Sequence, residues 1–478
     1  MPDNKRKNRP DNKDMGFVCK KNDELVLDIE DLGSEGQGAG KIHGYILFVK
    51  DALAGDKVRV KVMKTKKNYA YAKLLEIIEP SAWRTEPACP VAKQCGGCQL
   101  QHCKYEKQLE WKRKKIEGCL KRIGGLEDIE IKPVTGMEVP YHYRNKAQFP
   151  AGYDKDGNII TGFYAGRTHS IIPFKNCLIQ HPCNSIILDI VIKYMEENGI
   201  TAYNEITHKG IVRHIITRTG GATGEVMACL VINADSLPYA DKLAQMLLDN
   251  KNLSVKSICI NINKDKTNVI LGEKVEVIYG TPYITDYIGD IKYHISPLSF
   301  YQVNHSQTEK LYNKVMEFAD LKGSGTVWDM YCGIGTISLF LARKAAKVYG
   351  VEIVPQAVED ARVNAKLNNI DNVEFFNGAA EKIVPLQYEK SGGKLKADVV
   401  TLDPPRKGCG EKLLETVAGM EPARIIYVSC DPATLARDLK YLCKKGYKVE
   451  EVQPFDMFCQ SYHIESVTLL KKVYSSNG

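Results

Sequence analysis

Apolar and polar residues alternate in short runs over the first part of the chain, between Glu24 and about Pro80, and glycines separate the runs. A period of two predicts β-strands with one buried face. The clearest runs are residues 25–29, 45–49, 58–62 and 71–77. Several short strands at this spacing are typical of a small closed β-barrel.

A different pattern begins after about residue 280, where short apolar runs alternate with amphipathic segments. The apolar runs predict strands at 326–330, 348–351, 373–376, 397–402 and 424–429. The segments between them predict helices at 336–346, at 355–368 and from about Pro432. A last pair of strands is predicted near 448–453 and 466–470. This alternation indicates a mostly parallel sheet with helices on both faces.

The region between these two patterns combines a basic helix, predicted at 104–122 and ended by Gly124 and Gly125, with mixed strands and helices at 130–275. The predicted fold class is therefore α/β, with a small N-terminal β-barrel and a mixed α+β central domain. The expected domains are a disordered basic tail at 1–16, the barrel at 17–78, the central domain at 79–280 and the α/β domain at 281–478.

Composition limits the classes of protein to which this chain can belong. The chain has 478 residues and a formal net charge of +8, so a polyanionic partner is plausible but not required. No run approaches the roughly 18 apolar residues of a membrane span, and the polar start of the chain has no signal-peptide pattern. Fifteen cysteines without an export signal argue against a disulfide framework and favour reduced, ligating or catalytic thiols.

Cations and aromatic residues occur together near the end of the predicted barrel. Such a mixture suits RNA, because cations attract the backbone and aromatic rings stack on bases. An ordinary solvated face explains the same pattern equally well. The residues are Lys57, Arg59, Lys61, Lys64, Lys66, Lys67, Tyr69 and Tyr71.

A glycine turn at 329–336 joins a predicted strand to a predicted helix, and Glu352 ends the next strand. Glycines let the backbone approach a ligand, and a carboxylate at that position can accept both ribose hydroxyls of an adenosine. A dinucleotide enzyme would have a third glycine where this chain has Ser338. The turn therefore favours S-adenosylmethionine over NAD, although turns of this type also serve tight packing.

Two further segments follow predicted strands, and the carboxyl ends of parallel strands meet at one crevice. Asp403 begins an Asp-Pro-Pro-Arg run after the strand at 397–402. Cys430 follows the strand at 424–429, and Asp431 is predicted to cap the next helix. A thiol beside a helix N-terminus is favoured as the nucleophilic thiolate. A buried inert cysteine is the usual alternative at a strand end, but the position beside the crevice favours a nucleophile.

Cys89, Cys95 and Cys98 form a tight cluster with two glycines between the last two. Three thiols in ten residues favour a metal site, which needs a fourth ligand from elsewhere. Four thiolates suit either zinc or an iron–sulfur cluster. Spacing alone leaves the fourth ligand open among Cys103, Cys119, Cys177 and Cys183.

The chain resembles the RNA (uracil-5-)-methyltransferase family, specifically the branch that modifies uridines in 23S ribosomal RNA. The resemblance covers nearly the whole chain, and 17–78 is similar to a TRAM domain, an RNA-binding barrel. The matching segments are Ser299-Phe300-Tyr301-Gln302-Val303-Asn304, the 329–335 loop, Asp403-Pro404-Pro405-Arg406, Ser429-Cys430-Asp431-Pro432, 434–438 and His463-Ile464-Glu465-Ser466-Val467.

This resemblance implies a Rossmann-like S-adenosylmethionine-dependent methyltransferase domain, in which Cys430 is the nucleophile and Glu465 is the base. It implies that S-adenosylmethionine is contacted by Gln302, Tyr331, Thr336, Glu352 and Asp403. It also implies a [4Fe-4S] cluster held by Cys89, Cys95, Cys98 and Cys177. The expected protein is a cytoplasmic monomer that binds 23S ribosomal RNA and no membrane.

Two alternatives are left open by the sequence. The first is a tRNA uracil-5-methyltransferase, which would have the same chemistry. The barrel and the cysteine set favour ribosomal RNA over this alternative. The second is a non-catalytic protein that binds zinc and RNA. The presence of both Cys430 and Glu465 argues against this alternative.

Overall fold

The first of two structural units is built on a six-stranded sheet in the order β1-β5-β6-β4-β3-β2. The computed structural model describes residues 19–166, 168–392 and 396–474, so the predicted tail at 1–16 lies outside the described residues. This unit comprises the chain up to Pro87 together with 98–108. Its strands are β1 (Glu24–Asp28), β2 (Asp31–Leu32), β3 (Gly38–Ile42), β4 (Tyr45–Val49), β5 (Lys57–Thr65) and β6 (Tyr69–Glu79). All four strands predicted in this region are present.

The sheet of the first unit curls because β3 passes very close to the end of β1. A Cβ atom on Gly40 would lie 2.2 Å from the Asp28 carbonyl oxygen, so only glycine permits this approach. The Glu30 amide donates to the Ala39 carbonyl at 2.9 Å and links the two strands. Valines of β5 fill the interior. The small N-terminal barrel predicted from the alternating pattern is confirmed.

The second unit comprises 88–97 and 109–478. The helix α1 (Tyr105–Cys119) begins in the first unit and continues into the second, and a π-helical turn (Leu120–Gly124) follows it. Gly125 ends this segment with a positive φ of 64°, as the Gly-Gly pair predicts. The short strand β7 (Glu130–Ile131) comes next.

A seven-stranded sheet, ordered β10-β9-β8-β11-β12-β13-β14, forms the middle of the second unit. Its elements are β8 (Lys146–Tyr153), β9 (Ile159–Tyr164), β10 (Ile171–Pro173), α2 (Cys183–Glu197), β11 (Val212–Thr219), β12 (Val226–Ile232), α3 (Ala240–Leu248), β13 (Val255–Ile262) and β14 (Lys274–Gly280). Phe149 and Ile215 share a buried cluster with Ile187 and Leu243, so α2 and α3 cover one face of this sheet. Residues that alternate with Phe149 and Ile215 point to the other face.

A hairpin and a helix lead into the last sheet: β15 (Ile284–Ile288), β16 (Ile291–Ile295) and α4 (His305–Ala319). The elements that follow are β17 (Thr326–Met330), α5 (Thr336–Ala342), β18 (Lys347–Glu352), α6 (Pro355–Leu367), β19 (Val373–Asn377), α7 (Ala380–Lys390), β20 (Val399–Leu402), α8 (Glu411–Gly419), β21 (Arg424–Ser429), α9 (Pro432–Lys444), β22 (Tyr447–Phe455) and β23 (Glu465–Lys472).

These strands form one eight-stranded sheet in the order β19-β18-β17-β20-β21-β23-β22-β7. The first five are parallel, whereas β23 is antiparallel to both of its neighbours. The predicted strands and the mostly parallel α/β sheet are confirmed. Helix α5 ends at Ala342, four residues before the predicted end, because the chain turns there to enter β18.

The topology of the eight-stranded sheet positions the candidate site. The carboxyl ends of β17, β18, β20 and β21 lie at one edge. Because β23 is antiparallel to β21, its first residue, Glu465, lies at that same edge.

None of the described helices is long and apolar enough to span a membrane.

Candidate active site

Cys430 lies between β21 and α9 and is half-buried. The next residue, Asp431, caps α9, because its Oδ1 accepts hydrogen bonds from the amides of Ala433 and Thr434, each at 2.9 Å. Pro432 stands at the first helical position, where its fixed φ suits a helix start. The predicted strand, cap and helix therefore hold Cys430 at the crevice edge.

Cys430 shares this edge with two carboxyl groups and one guanidinium. Burial, together with negative charge on Glu465 and Asp403, raises the pKa of the Cys430 thiol to about 12, although Arg406 opposes the rise. The predicted thiolate is therefore wrong for the free protein: burial and two carboxylates outweigh the helix N-terminus. The thiol of the free protein keeps its proton and needs a base beside it.

Both carboxyl groups are perturbed in the direction that suits proton transfer. Burial raises the pKa of Asp403 to about 7, and the charge of Asp329 adds to the effect. Burial also raises the pKa of Glu465 well above its usual range, with a contribution from Asp403, while Arg406 opposes the rise. Groups whose pKa lies near the working pH are effective acids and bases. Glu465 is 3% exposed, so little water competes for its proton.

Behind the crevice, Asp329 in β17 accepts hydrogen bonds from Ser338 at 2.5 Å and from Thr401 at 2.8 Å. These bonds satisfy a fully buried carboxyl group and tie α5 and β20 to β17. Ser338 stands where a dinucleotide-binding turn would have a third glycine, and the structure uses its hydroxyl to hold this carboxyl. The Thr336 hydroxyl accepts a hydrogen bond from Tyr312 at 2.9 Å.

The glycine turn after β17 closes onto Glu352 at the end of β18. The Gly333 amide donates to one Glu352 carboxylate oxygen at 3.1 Å, and the Val354 amide donates to the other at 2.9 Å. Gly333 has a φ of 55°, and a Cβ atom there would meet nothing within 4 Å, so open space adjoins the turn. Glu352 is half-buried. The glycine turn therefore places local open space beside an oriented carboxylate.

Tyr331 precedes this turn and has a φ of 69°, a conformation that costs free energy for a non-glycine residue. Burial raises the pKa of its hydroxyl, and negative charge on Cys409 adds to this, so the hydroxyl lies beside Cys409. Strain of this kind clusters at ligand sites. The contact of Tyr331 with a cofactor stays a prediction.

Gln302 is buried and lies before α4. Its carbonyl accepts a hydrogen bond from the Asn145 side chain at 2.9 Å, and the Asn145 amide donates to the Val303 carbonyl at 2.9 Å. The matching segment 299–304 is thus joined to the start of β8. Its role in cofactor binding also stays a prediction.

Two residues of the matching motifs, Arg406 and His463, form a hydrogen bond at the site that sequence reasoning did not assign. The Nη2 of Arg406 lies 3.3 Å from the Nε2 of His463. Burial lowers the pKa of His463 to about 4, and Arg406, Lys115, Lys112 and Arg144 lower it further, so the neutral ring accepts this hydrogen bond. Both residues stand inside quoted motifs, which is the signal that could have identified them.

A buried ion pair also escaped sequence reasoning. Lys112 in α1 lies 2.5 Å from Asp456, and neither side chain is exposed. Its Nζ also donates to the Phe458 carbonyl at 3.2 Å. The pair ties α1 to the segment that leads from β22 to Glu465. No local pattern links residues 344 positions apart.

The predicted cysteine ligands are divided between the units. In the second unit, burial raises the pKa of Cys177 to about 11 with smaller contributions from charge on Cys95 and Cys89, so these three thiols lie within electrostatic range of one another. Cys98 lies in the first unit and is half-buried. Over the part of the chain that the structure describes, no three His, Cys, Asp or Glu side chains are arranged to hold a metal ion.

The other two cysteines of the second unit that spacing left open have different surroundings. The Cys183 sulfur lies 3.0 Å from a His181 ring nitrogen and 3.6 Å from the Thr219 hydroxyl. The charges that act on Cys119 belong to Lys115, Arg122 and Asp431. Of the three, Cys177 alone shares surroundings with Cys89 and Cys95.

In the first unit, three aromatic rings pack together on neighbouring strands of the barrel. The Phe48 and Tyr69 ring centroids are 5.7 Å apart, and those of Tyr69 and Tyr71 are 5.5 Å apart. Lys64, Lys66 and Lys67 are exposed along the same stretch of chain. In contrast, Lys57 and Arg59 form ion pairs with Glu79 and Glu76. The predicted mixture of cations and aromatics is therefore present, with part of its charge already compensated.

Comparison with known proteins gives two family matches. A family model described as tRNA (Uracil-5-)-methyltransferase matches residues 104–473. A TRAM domain model matches residues 20–75.

Relatives of similar length were also found. An uncharacterized RNA methyltransferase of Clostridium tetani is 51% identical over 451 residues, which cover 94% of this chain and 97% of that protein. Another, from Bacillus cereus, is 49% identical over 454 residues, covering 95% and 98%. A solved structure, the Pyrococcus abyssi tRNA (uracil-54, C5)-methyltransferase in complex with S-adenosyl-L-homocysteine, has a TM-score of 0.75 at 29% identity. The match covers 93% of this chain and all of that one.

Proposed function

The chain belongs to the tRNA (Uracil-5-)-methyltransferase family, and from this premise we propose that it methylates C5 of a uridine in 23S ribosomal RNA. The methyl donor is S-adenosylmethionine, and the product is 5-methyluridine. The observation that carries the proposal is the meeting of Cys430, Glu465 and Asp403 at one sheet edge, where each has a raised pKa.

Uracil C5 is too weak a nucleophile to attack a sulfonium methyl group unaided. The Cys430 sulfur therefore adds to C6, and the electron pair of the C5–C6 double bond moves to form an enolate. The thiol proton leaves to the Asp403 carboxylate, so Glu465 stays free to accept the C5 proton, and the proton on Asp403 returns to the sulfur when Cys430 is released. Arg406 lowers the pKa of Cys430 and so favours the anionic sulfur. The target nucleotide is extruded from its stack, because the reacting carbons are otherwise covered.

The remaining steps complete the exchange at C5. C5 of the enolate forms a bond to the methyl carbon, and the bond from that carbon to sulfur breaks to leave S-adenosylhomocysteine. Glu465 then removes the C5 proton, the C5–C6 double bond reforms and the C6–sulfur bond breaks. A carboxyl group with a raised pKa suits this role because it binds the abstracted proton strongly.

Five residues are proposed to hold the methyl donor. Glu352 is already oriented by two backbone amides and is proposed to accept the ribose hydroxyls. The open space beside Gly333 accommodates a nucleoside. The full proposed set is Gln302, Tyr331, Thr336, Glu352 and Asp403. The Pyrococcus abyssi protein was solved in complex with S-adenosyl-L-homocysteine, which supports S-adenosylmethionine as the methyl donor.

The choice of ribosomal RNA rests on the TRAM domain and the cysteine set, which the resemblance associates with the 23S branch. A tRNA substrate is the second candidate. The similarity to the Pyrococcus abyssi tRNA (uracil-54, C5)-methyltransferase favours this candidate, because the match covers the whole of that chain. The two candidates share their chemistry and differ only in the RNA.

The test is to incubate the purified chain with S-adenosylmethionine and, separately, unmodified transcripts of 23S ribosomal RNA and of the tRNAs of the same cell. The expected result is one added methyl group per modified uridine in 23S RNA, located by mass spectrometry of nuclease fragments. Methylation of tRNA alone would replace the proposal by the second candidate. Methyl transfer to neither RNA, or to a base other than uracil, would refute both.

We also propose that Cys89, Cys95, Cys98 and Cys177 hold a [4Fe-4S] cluster. The proposal is supported by three thiols, Cys89, Cys95 and Cys177, that lie within electrostatic range of one another, because thiolates are the usual ligands of such clusters. When bound, the cluster would supply structural support for the RNA-binding surface. It takes no part in the proposed reaction.

A cysteine substitution tests the cluster proposal through colour. Anaerobically purified protein is expected to be brown with broad visible absorption, and Cys177→Ser is expected to lose most of the iron and the absorption. Cys183→Ser is the matched control, because its sulfur contacts His181 and Thr219 instead. Zinc in a colourless wild type, or equal iron in both variants, would contradict the proposed ligand set. Iron and sulfide analysis provides the measurement.

A further inference from the structure

Two cations lie directly opposite each other on neighbouring strands of the seven-stranded sheet. Lys146 begins β8, and Arg218 near the end of β11 is its register partner. Both alternate with residues that pack on α2 and α3, so they share the face that these helices leave uncovered. Like charges in directly opposed positions destabilise a sheet. The stability of the fold therefore does not explain why two cations stand opposite each other here.

No acidic group compensates these charges. Burial, together with the charges of Arg218 and Arg144, lowers the pKa of Lys146 to about 7, and only the Cys229 thiol acts in the opposite direction. Among the residues that the structure describes, none forms a hydrogen bond or ion pair with the Lys146 amino group. Arg218 is 2% exposed and donates only to the neutral carbonyls of Pro297 and Ser299, while its Nε has no partner. Buried cations without a counter-charge are costly.

The cations continue towards the catalytic crevice. Arg144 pairs through its backbone with Asn304, and it is among the charges that lower the pKa of His463. His463 in turn lies 3.3 Å from Arg406, which acts on Cys430 and Glu465. Three cations, Lys146, Arg144 and Arg406, therefore lie in succession towards the reacting sulfur, with the neutral ring of His463 between the last two. Both Arg144 and Lys146 are half-buried, so an outside group can reach them.

We infer that Arg144 and Lys146 form a binding site for a backbone phosphate of the RNA, next to the nucleotide whose base enters the crevice, with Arg218 as a buried supporting charge. This inference rests on the proposed RNA substrate. A phosphodiester would provide the negative counter-charge that the protein lacks beside these cations. Guanidinium and ammonium groups are the usual protein partners of such a phosphate. The carboxylate of the methyl donor is the other anion that this chemistry could hold, and the experiment separates the two.

The test compares Lys146→Met with the wild type in RNA binding, measured with the unmodified 23S transcript across a range of salt concentrations. Loss of one phosphate contact is expected to weaken binding about tenfold at low salt and to reduce the slope of log affinity against log salt by about 0.7. The KM for RNA should rise while kcat at saturating RNA stays unchanged. Calorimetry should show unchanged affinity for S-adenosylmethionine.

Lys193→Met provides the matched control, because Lys193 lies on α2, which packs on the opposite face of the same sheet, and is 66% exposed. It should bind RNA as the wild type does. Folding is checked separately, since removing one of two opposed cations should leave the unfolding midpoint of Lys146→Met equal or higher. A variant that is as stable as the wild type and yet binds RNA less tightly excludes a merely structural role.

The pH dependence gives an independent readout. The groups whose charges act on Lys146 are Arg218, Arg144 and Cys229. As the pH rises through about 7, Lys146 of the free protein loses its proton, so RNA affinity should fall more steeply in the wild type than in Lys146→Arg. The arginine keeps its charge throughout this range.

Three results would overturn the inference: a salt slope of Lys146→Met equal to that of the wild type, a fall in S-adenosylmethionine affinity in place of RNA affinity, or an identical pH dependence in Lys146→Arg. The outcome is independent of the proposed reaction, because RNA binding is measured without methyl transfer. A chain that binds RNA through Lys146 and methylates no uracil would refute only the proposed function.

Discussion

Cys430→Ala is expected to lower methyl transfer by roughly 10⁴- to 10⁶-fold, the range seen when an enzyme loses its covalent nucleophile. Without sulfur addition at C6, C5 has no enolate to attack with, and the raised pKa of Glu465 offers no substitute. Affinity for RNA and for the methyl donor should change little, because the side chain is small and half-buried. Single-turnover methyl transfer from labelled donor provides the measurement.

The adduct itself can be trapped with RNA containing 5-fluorouridine, because fluorine at C5 prevents the last proton removal. The wild type should give a band of protein linked to RNA on a denaturing gel, and Cys430→Ala should give none. Cys443→Ala is the matched control, since Cys443 is a half-buried cysteine of α9, the helix that begins just after Cys430. Methylation at the wild-type rate by Cys430→Ala would disprove the covalent route.

Lys112→Met is expected to destabilise the second unit by about 3–5 kcal/mol, because it removes the ion-pair partner of a fully buried carboxylate, Asp456. The two side chains are 2.5 Å apart and neither is exposed. The carbonyl of Phe458 also loses its hydrogen bond. Unfolding in urea should show a lower midpoint, followed through the fluorescence of Trp111 and Trp328, both of which are buried in this unit.

Two further variants isolate the cause of that loss. Lys114→Met removes an exposed lysine of the same helix and should change stability by less than about 0.5 kcal/mol. Lys112→Met combined with Asp456→Leu replaces the whole pair by apolar groups and should recover most of the stability. A single Lys112→Met variant as stable as the wild type would show that the pair contributes nothing to the fold.

Local patterns predicted the elements well because they depend on neighbours in the chain. The alternation at 45–49 and the apolar run at 424–429 reappear as β4 and β21 with the same bounds. The Gly124-Gly125 stop and the Asp431 cap also act within a few residues, as predicted. The strand β7 was not foreseen at the edge of the last sheet, because its partner β22 is more than 300 residues away.

At the candidate site, the sequence supplied the proposed residues but predicted the wrong protonation state for one of them, Cys430. Cys430 at a helix N-terminus predicts a thiolate, whereas burial and the carboxyl groups of Glu465 and Asp403 keep the proton on sulfur. Glu465 reaches that position only because β23 is antiparallel to β21. No single motif encodes how deeply Cys430 is buried or how near Glu465 lies to it.

By itself, the sequence determined the order of elements, the α/β class and the family, and it supplied the proposed reactive side chains, since these depend on periodicity and on short motifs. Only the tertiary structure decided which charges meet: the carboxyl groups around Cys430, the pair of Lys112 with Asp456 and the uncompensated cations Lys146 and Arg218. The physical reason is that the free energy of a charge depends on its burial and on the groups beside it. Both are set by contacts between residues far apart in the chain.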